Sequence, residues 1–494
     1  MLFTTATFAF LYLPLVLAGY YLLGRRSPTA AAGWLFAASV FFYGWWMPAF
    51  TLLLLASIAV NFSVGKRIAA SALGSAARRV WLIVGVVFNL GLLAYFKYAN
   101  FFVDNLNAAL GSAWELGEVI LPIGISFYSF TQIAYLVDTW HAKVKEARPI
   151  HYGLFVTYFP HLVAGPVLHH AQMMPQFADG SVYRFDGARF WGGLAIFGIG
   201  LFKKVVLADG IAPYADAVFG PVDAGFIPST SEAWIGALAY TFQLYFDFSG
   251  YSDMAIGLSW MFNIRLPINF DSPYKATSIS DFWRRWHITL STFLRDYLYV
   301  PLGGNRKGPV RRYINLGLTM VLGGLWHGAS WSFVLWGALH GAYLMLNHGF
   351  RAMSERAGWH LALRASSSFA VAGWALTFLG VVVAWVFFRA ETLSGAVRML
   401  YSMVGQVPAG MDAGLLLWNA GLQPGVAAGW CAVLGAAAVW LPNSNRIGDS
   451  MLAWLARHET WRPAVGGAAL VAAVGLVIVN TARESVSAFI YFNF

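Results

Sequence analysis

Stretches without a charged side chain recur along the chain and are long enough to cross a lipid bilayer. A transmembrane helix needs about 20 mostly apolar residues. Stretches near or above that length cover residues 1–24, 29–65, 80–96, 313–350, 365–388, 413–445 and 463–482. The second of them is long enough for two helices, and we expect the turn between them at Met47-Pro48.

This pattern predicts an all-α polytopic membrane protein. Because irregular backbone is not tolerated against lipid, the polar-interrupted region 119–264 is also expected to be helical. The total is then about eleven transmembrane helices plus re-entrant segments. We expect one membrane-embedded domain over residues 1–494, with N-terminal spans in 1–118, a catalytic core in 119–350, and C-terminal spans with an aromatic tail in 351–494.

The composition excludes an ordinary soluble domain. Of the 494 residues 59% are hydrophobic and only 11% are charged, whereas soluble domains have roughly 25% charged residues. The first apolar stretch is not expected to be a cleaved signal peptide, because its basic residues Arg25 and Arg26 follow the apolar run instead of preceding it. Cys431 is the single cysteine, so an internal disulfide is excluded.

The net charge of +10 does not indicate a nucleic-acid partner. The basic residues lie between apolar stretches, as they do in the cytoplasmic loops of membrane proteins. Clusters at residues 25–26, 66–79 and 143–148 are therefore expected in the cytoplasm, and the N-terminus outside it. The topology of residues 149–232 does not follow from these charges.

The segment 242–299 alternates aromatic residues with charged ones. Such a segment is tolerated at membrane depth only where it is buried in protein or lines a cavity, so we expect it to line a chamber that opens to the cytoplasm. A helix is predicted over Ile279–Val300, with Asp281, Arg285 and Thr289 on one face. His287 falls on an apolar face, and there it is either a packing histidine or a functional one.

The 38 residues from Tyr313 to Phe350 contain no Asp, Glu, Lys or Arg, yet they include three histidines. His327 stands in GGLWHGASW, and a helix that begins after Arg312 would place it roughly 22 Å along its axis. An ionisable group at membrane depth is costly and indicates function, and a neutral imidazole between apolar walls is a good general base. The alternative is a packing histidine, which we favour for His340 and His348.

A metal site is not favoured, because the second and third histidines follow the first by 13 and 21 residues. The uncharged residues 313–350 are long enough to enter and leave the bilayer, so we expect them to form a hairpin. Just before this hairpin lies LGGNRKGPVRR, residues 302–312, which we call the basic ledge. Its composition predicts a loop and a cytoplasmic anchor. Arg306, Lys307, Arg311 and Arg312 are also suited to attract a phosphorylated cytoplasmic ligand, and both roles are compatible.

Several segments resemble the membrane-bound O-acyltransferase superfamily, over nearly the whole chain. They read DFWRRWHITLSTFLRDYLYVPLGGNRKG, LWHGASWSFVLWGALHG, FYSFTQIAYLVDTW, YFPHLVAGPVLHHAQMMPQF, FDFSGYSDMAIGLSWMFNIRLPINFDSPY and RAETLSGAVRML. The string PLGGNR resembles the bacterial branch that O-acetylates exported polysaccharides such as alginate, peptidoglycan and cellulose. One departure is His169-His170, where many relatives have Arg after GPV.

The resemblance implies a ring of helices around a thin central partition, with a cytoplasmic funnel for the acyl donor and an outer cavity for the acceptor. It assigns the catalytic role to His327 and a companion role to His287. Acetyl-CoA is the implied donor, with no bound cofactor and no metal. The residues expected to bind the donor are Arg284, Arg285, Arg295, Asn305, Arg306, Lys307, Trp326 and Asp253.

The ending AFIYFNF resembles the C-terminal motif of a small partner protein in teichoic-acid D-alanylation, so Tyr491 is a candidate covalent relay. Its alternative role is an interfacial aromatic anchor. The implied setting is the bacterial cytoplasmic membrane and its lipid, with a periplasmic SGNH-type acetyltransferase or other polymer-modification subunits as partners. The alternatives are transfer of D-alanyl or another acyl group, a transporter or flippase, and a non-catalytic scaffold. The absence of internal repeats in the sequence counts against a transporter.

Overall fold

The fold is built from helices. The computed structural model describes residues 1–117, 119–144, 148–163, 165–406, 414–483 and 489–490. It is 79% helical, and the described ranges contain no strand, so the predicted all-α class is confirmed. The chain forms two compact units: the first comprises Met1–Phe202, Tyr251–Ile268 and Ser444–Asn493, and the second comprises Lys203–Gly250 and Asn269–Asn443.

The first unit opens with ten α-helices. They are α1 (Leu13–Gly24), α2 (Pro28–Trp46), α3 (Pro48–Ala70), α4 (Ala76–Leu93), α5 (Ala99–Leu110), α6 (Ile125–Trp140), α7 (Pro149–Thr157), α8 (Phe159–Leu162), α9 (His170–Ala178) and α10 (Gly187–Phe202). Within this unit, α3 and α4 are joined by reciprocal amide hydrogen bonds between the buried Asn61 and Asn89, at 3.2 and 2.6 Å. These polar side chains are thereby satisfied inside apolar helices.

The second unit contains most of the later helices. They are α11 (Asp209–Asp223), α12 (Thr230–Met261, whose last part belongs to the first unit), α13 (Ile279–Arg285), α14 (Ile288–Leu294), α15 (Gly308–His327), α16 (Trp331–Arg356), α17 (His360–Ala365), α18 (Ser367–Arg389), α19 (Leu393–Met403), α20 (Leu416–Asn419) and α21 (Pro424–Trp440). The first unit resumes with α22 (Ser444–Arg457) and α23 (Arg462–Thr481). Short π-helical turns lie at Phe8–Tyr12, Ala94–Tyr98, Lys203–Ala208 and Arg295–Tyr299, and 3₁₀ turns at Gly180–Tyr183, Pro273–Lys275 and Glu459–Trp461.

Four helical stretches of the described residues are long and apolar enough to cross a membrane: Pro48–Ala70, Ala76–Leu110, Ser367–Arg389 and Glu459–Thr481. A fifth is added if α21 and α22 are taken as one broken span. The protein is therefore a polytopic membrane protein, while the expected total of about eleven spans stays a prediction.

The predicted turn at Met47-Pro48 is confirmed. Helix α2 ends at Trp46, the Met47 backbone N–H donates to Tyr43 O (3.0 Å), and Pro48 begins α3. Proline is favoured at the first helical position because its missing N–H would have no intrahelical acceptor there. Two helices thus come from one uncharged stretch, as predicted.

The predicted hairpin over residues 313–350 is confirmed as α15 and α16, which pack closely. A Cβ atom on Gly324 would meet the backbone oxygen of Phe333 and would lie 3.1 Å from Gly337 Cα. A Cβ on Gly337 would meet the backbone oxygen of Met320. The glycines therefore allow close contact between the two helices.

The predicted loop over residues 302–312 is shorter than expected. Helix α15 begins at Gly308, before Arg312, because Pro309 favours the start of a helix.

The predicted continuous helix over Ile279–Val300 is wrong. The chain forms α13, breaks at Trp286-His287, and then forms α14 and a π-helical turn. The Asp281–Arg285 pair at one-turn spacing is present, with a 3.0 Å ion pair, but Thr289 lies beyond the break. The break is stabilised from outside this segment, because the Ile288 backbone N–H donates to the Asn269 backbone oxygen at 3.0 Å.

Candidate active site

His327 is the last residue of α15 and lies in an aromatic box of the second unit. Its side chain is buried, with 3% of the residue exposed. The centroid of its ring is 4.9 Å from that of Trp326, 5.0 Å from that of Trp336 on α16, and 5.1 Å from that of Phe388 on α18. These rings enclose the imidazole and, with its burial, leave it little access to bulk water.

His287 lies beside His327, and their ring centroids are 6.4 Å apart. His287 is fully buried, and its ring stands nearly at right angles to that of Phe248 on α12, with ring centroids 4.8 Å apart. The two histidines that the sequence singled out, separated by forty residues, therefore come together in space. They do so because the α13–α14 break and the end of α15 meet at this point.

The backbone of His287 is left-handed, with φ +43°. This conformation is uncommon for a residue with a Cβ and persists only where the surroundings hold it. Asn269 supplies that hold: its Oδ1 accepts from His287 Nδ1 (3.1 Å), from the Thr289 backbone N–H (3.3 Å) and from Thr289 Oγ1 (2.9 Å). Because an amide oxygen only accepts, Nδ1 bears the proton of the neutral imidazole and its lone pair is on Nε2.

The other two histidines of the hairpin do not join this pair. His340 is buried on α16, and its Nδ1 accepts from the indole N–H of Trp283 at 3.3 Å, as expected for a packing histidine. His348 lies near the far end of α16, where Arg312 Nη2 donates to its Nδ1 at 3.3 Å. Within the described ranges no group of three or more His, Cys, Asp or Glu side chains is arranged to hold a metal ion.

The arginines expected to bind the donor differ in their surroundings. Arg285 is engaged by two carboxylates, Asp281 at 3.0 Å and Asp271 at 3.9 Å. Arg295 pairs with its neighbour Asp296 at 2.7 Å on the surface. Arg284 is exposed at the end of α13. Of these three arginines, only Arg284 is not paired with a carboxylate in the described part of the chain.

The loop part of the basic ledge places its polar side chains in solvent, whereas Arg312 at its end is half-buried. Asn305, Arg306 and Lys307 are all exposed. The preceding loop folds back onto α15, since Asn315 Nδ2 donates to the Gly304 backbone oxygen at 3.0 Å. Gly304 has φ +54°, which glycine adopts without strain. The ledge is thus a tight turn that holds two cationic side chains outward.

The remaining predicted site residues are Trp326, Asp253 and Tyr491, and they lie in different parts of the chain. Trp326 is buried next to His327. Asp253 is buried on the part of α12 that belongs to the first unit. Tyr491 lies outside the described residues. Just before it, Phe489 is 2% exposed and stacks on Tyr251 of the first unit, with ring centroids 4.5 Å apart.

The sequence did not single out Asn269 as a site residue. Nothing in the string PINFDSP distinguishes this asparagine from a loop residue, because its hydrogen-bond donors lie 18 and 20 positions away.

The sequence also did not predict the ion pairs of the buried Lys204, whose Nζ is 2.8 Å from both Asp209 and Asp247 in the second unit. Two carboxylates there neutralise a cation that burial alone would disfavour.

Comparison with known proteins identifies relatives of this chain. Residues 142–388 match the model of the membrane-bound O-acyltransferase family. A peptidoglycan O-acetyltransferase from Helicobacter pylori is 44% identical over 432 residues, which cover 82% of this chain and 80% of the relative. A probable alginate O-acetylase from Azotobacter vinelandii is 45% identical over 408 residues, covering 82% of this chain and 78% of the relative. A teichoic acid D-alanyltransferase from Bacillus subtilis is 25% identical over 250 residues, 49% of this chain and 62% of that one.

Asn269→Ala is expected to destabilise the second unit. The change leaves three buried donors without their acceptor, and each such group costs roughly 1–3 kcal/mol. Thermal unfolding in detergent should therefore show a loss of at least about 2 kcal/mol. The control is Asn419→Ala, at an exposed residue of the same unit, which should change stability by less than about 0.5 kcal/mol. Equal melting temperatures for the two variants would contradict the role given to Asn269.

Proposed function

The chain belongs to the membrane-bound O-acyltransferase family and is an O-acetyltransferase, and from this we propose that it moves acetyl from cytoplasmic acetyl-CoA across the membrane. The acetyl group is destined for the O-acetylation of an exported polysaccharide. The observation that supports this proposal most directly is the buried pair of imidazoles, with ring centroids 6.4 Å apart inside an aromatic box. This is the environment that a base needs in order to act on a thioester without hydrolysing it.

The relatives support a proposal for the class of polymer that accepts the acetyl group. Relatives at 44–46% identity over most of the chain are named for alginate or for peptidoglycan. Both are cell-envelope or exported glycans with free hydroxyl groups, so we propose an acceptor of that kind. We further propose a bacterial cytoplasmic membrane location and a periplasmic partner of SGNH type. D-alanyl is the second acyl group to test, because of the weaker similarity to a teichoic acid D-alanyltransferase.

In the proposed mechanism, a ring nitrogen of His327 takes the proton of the acceptor hydroxyl. The acceptor oxygen forms a bond to the thioester carbonyl carbon, and the tetrahedral intermediate collapses as the C–S bond breaks. The departing CoA sulfur then receives the proton from the imidazolium, so His327 returns to its neutral form. His287, oriented by Asn269, acts as the companion that positions the reacting groups beside His327.

His327→Ala is expected to abolish chemistry without unfolding the protein. A missing general base typically costs about 10²–10⁴-fold in rate. Release of CoA thiol by the purified variant should fall by that factor, while calorimetric binding of CoA persists. The control His458→Ala removes an exposed histidine at the end of α22 and should leave the rate unchanged. Thiol release near the wild-type rate in His327→Ala would exclude His327 as the base.

The basic ledge is proposed to bind donor phosphates. Changing Arg306 and Lys307 together to Gln should raise KM for acetyl-CoA by roughly 3- to 30-fold, since exposed charge pairs contribute up to about 1 kcal/mol each. The salt dependence of KM should become weaker, because fewer charges are screened. Arg457→Gln, at an exposed position of α22, is the control. An unchanged KM and salt response would reduce the ledge to a topological anchor.

Tyr491 is proposed to accept acetyl and pass it onward. A phenol has a pKa of about 10, so it needs a base such as His327 before its oxygen can attack the thioester. The aryl acetate formed is activated enough to transfer acetyl to a periplasmic enzyme. Tyr491→Phe keeps the ring and removes only the oxygen, so polymer acetylation in cells should be lost at normal membrane levels. Tyr401→Phe, at an exposed tyrosine of α19, is the control, and full acetylation by Tyr491→Phe would leave the residue as an anchor.

A further inference from the structure

Helix α13 packs against the far half of α16 in the second unit, and this contact gathers cationic side chains. Ser280 Oγ donates to Asn347 Oδ1 at 2.8 Å. Arg284 follows Ser280 by one helical turn and so lies on the same side of α13. His348 follows Asn347 directly on α16. The hydrogen bond thus holds α13 against α16 at the residue that directly precedes His348.

Arg312, near the start of α15, completes the contact. Its Nη2 lies 3.3 Å from His348 Nδ1. A guanidinium has donors only, so Nδ1 must accept, and the proton of the imidazole is on Nε2. His348 is half-buried, and its Nε2–H is therefore a donor held in a fixed orientation by its neighbour.

Two more arginines lie near this ring: Arg351 follows His348 by three residues on α16, and Arg284 lies on the side of α13 that meets Asn347. With Arg312, which contacts the ring directly, they surround His348 with positive charge. We call these four residues the cationic cluster. Within the described part of the chain, Glu355 is the one carboxylate paired with any of the three guanidiniums, through a 2.8 Å contact with Arg351. Two positive charges are therefore in excess at one place.

The neighbouring arginines show that this excess is particular to the cluster. Arg285, next to Arg284 in the chain, is engaged by Asp281 and Asp271, and Arg295 is engaged by Asp296. Bringing like charges together is unfavourable unless an anion compensates them. Guanidinium groups from three helices, with an N–H donor among them, match the several acceptor oxygens and double charge of a phosphate monoester.

We propose that Arg284, Arg312, Arg351 and His348 form a binding site for a phosphate monoester, and that the acyl donor supplies this group. The assignment to the donor rests on the proposed function. Acetyl-CoA has one phosphate monoester, on its ribose, in addition to its diphosphate bridge. The cationic cluster takes the monoester, and the exposed Arg306 and Lys307 of the basic ledge meet the bridge. The cluster then discriminates CoA from its 3′-dephospho analogue.

The test compares CoA with 3′-dephospho-CoA by isothermal titration calorimetry on the full-length protein in detergent. Wild type should bind CoA at least roughly tenfold more tightly, because hydrogen bonds to charged groups are worth more than neutral ones. In Arg284→Gln/Arg351→Gln this preference should fall close to one, while affinity for 3′-dephospho-CoA stays the same. Both changed side chains are exposed, so the fold does not depend on them.

The matched control is Arg306→Gln/Lys307→Gln, which should weaken both ligands by the same factor and so retain the preference. Equal binding of the two ligands by wild type, or a preference kept in Arg284→Gln/Arg351→Gln, would overturn the proposal. Equal binding together with cluster-dependent binding to micelles containing phosphatidic acid would assign the site to lipid and overturn the assignment to the donor. Calorimetry requires no turnover, so a wild-type protein that shows the preference but transfers no acetyl overturns the proposed function alone.

Discussion

The acceptor oxygen of Asn269 determines where the candidate catalytic pair lies. Three donors converge on it, one from the His287 ring and two from Thr289, and all of these groups are buried. Buried donors cannot form replacement hydrogen bonds to water, so losing their acceptor costs more free energy of folding than losing an exposed hydrogen bond. The same oxygen holds His287 at positive φ, interrupts the helix between α13 and α14, and selects the tautomer of the imidazole.

The position of His327 depends on a second constraint, the close contact between α15 and α16. Gly324 and Gly337 let the two backbones approach, and any side chain there would meet backbone atoms of the other helix. Trp336 is thereby brought onto the ring of His327. Backbone packing through small residues is the main source of helix association in membranes, where apolar side chains gain nothing by leaving lipid. Helix packing and the shape of the site are therefore set by the same residues.

The cationic side chains of the second unit fall into two groups. Some are paired with carboxylates, and others are exposed without such a partner in the described ranges. Lys204 and Arg285 are each met by two carboxylates. Arg284, Arg306 and Lys307 instead remain exposed, and no carboxylate is paired with them within the described ranges. Paired charges stabilise buried structure, whereas unpaired ones attract an anion from solution. The division separates the residues that hold the fold from those available to a phosphorylated donor.

The sequence by itself determined the all-α membrane class, the turn at Met47-Pro48 and the hairpin over 313–350, because hydropathy and proline chemistry act over a few neighbouring residues. It also singled out His287 and His327 as candidate site residues, from the cost of an ionisable group at membrane depth and from the family resemblance. It led to a wrong prediction for Ile279–Val300, since the periodicity of that segment is helical and the interruption comes from Asn269, a residue outside it. Likewise His348 has the local setting of a packing histidine, and its cationic neighbours come from three helices. Contacts between residues distant in the chain are decided by tertiary packing, and the local periodicity of the sequence does not show them.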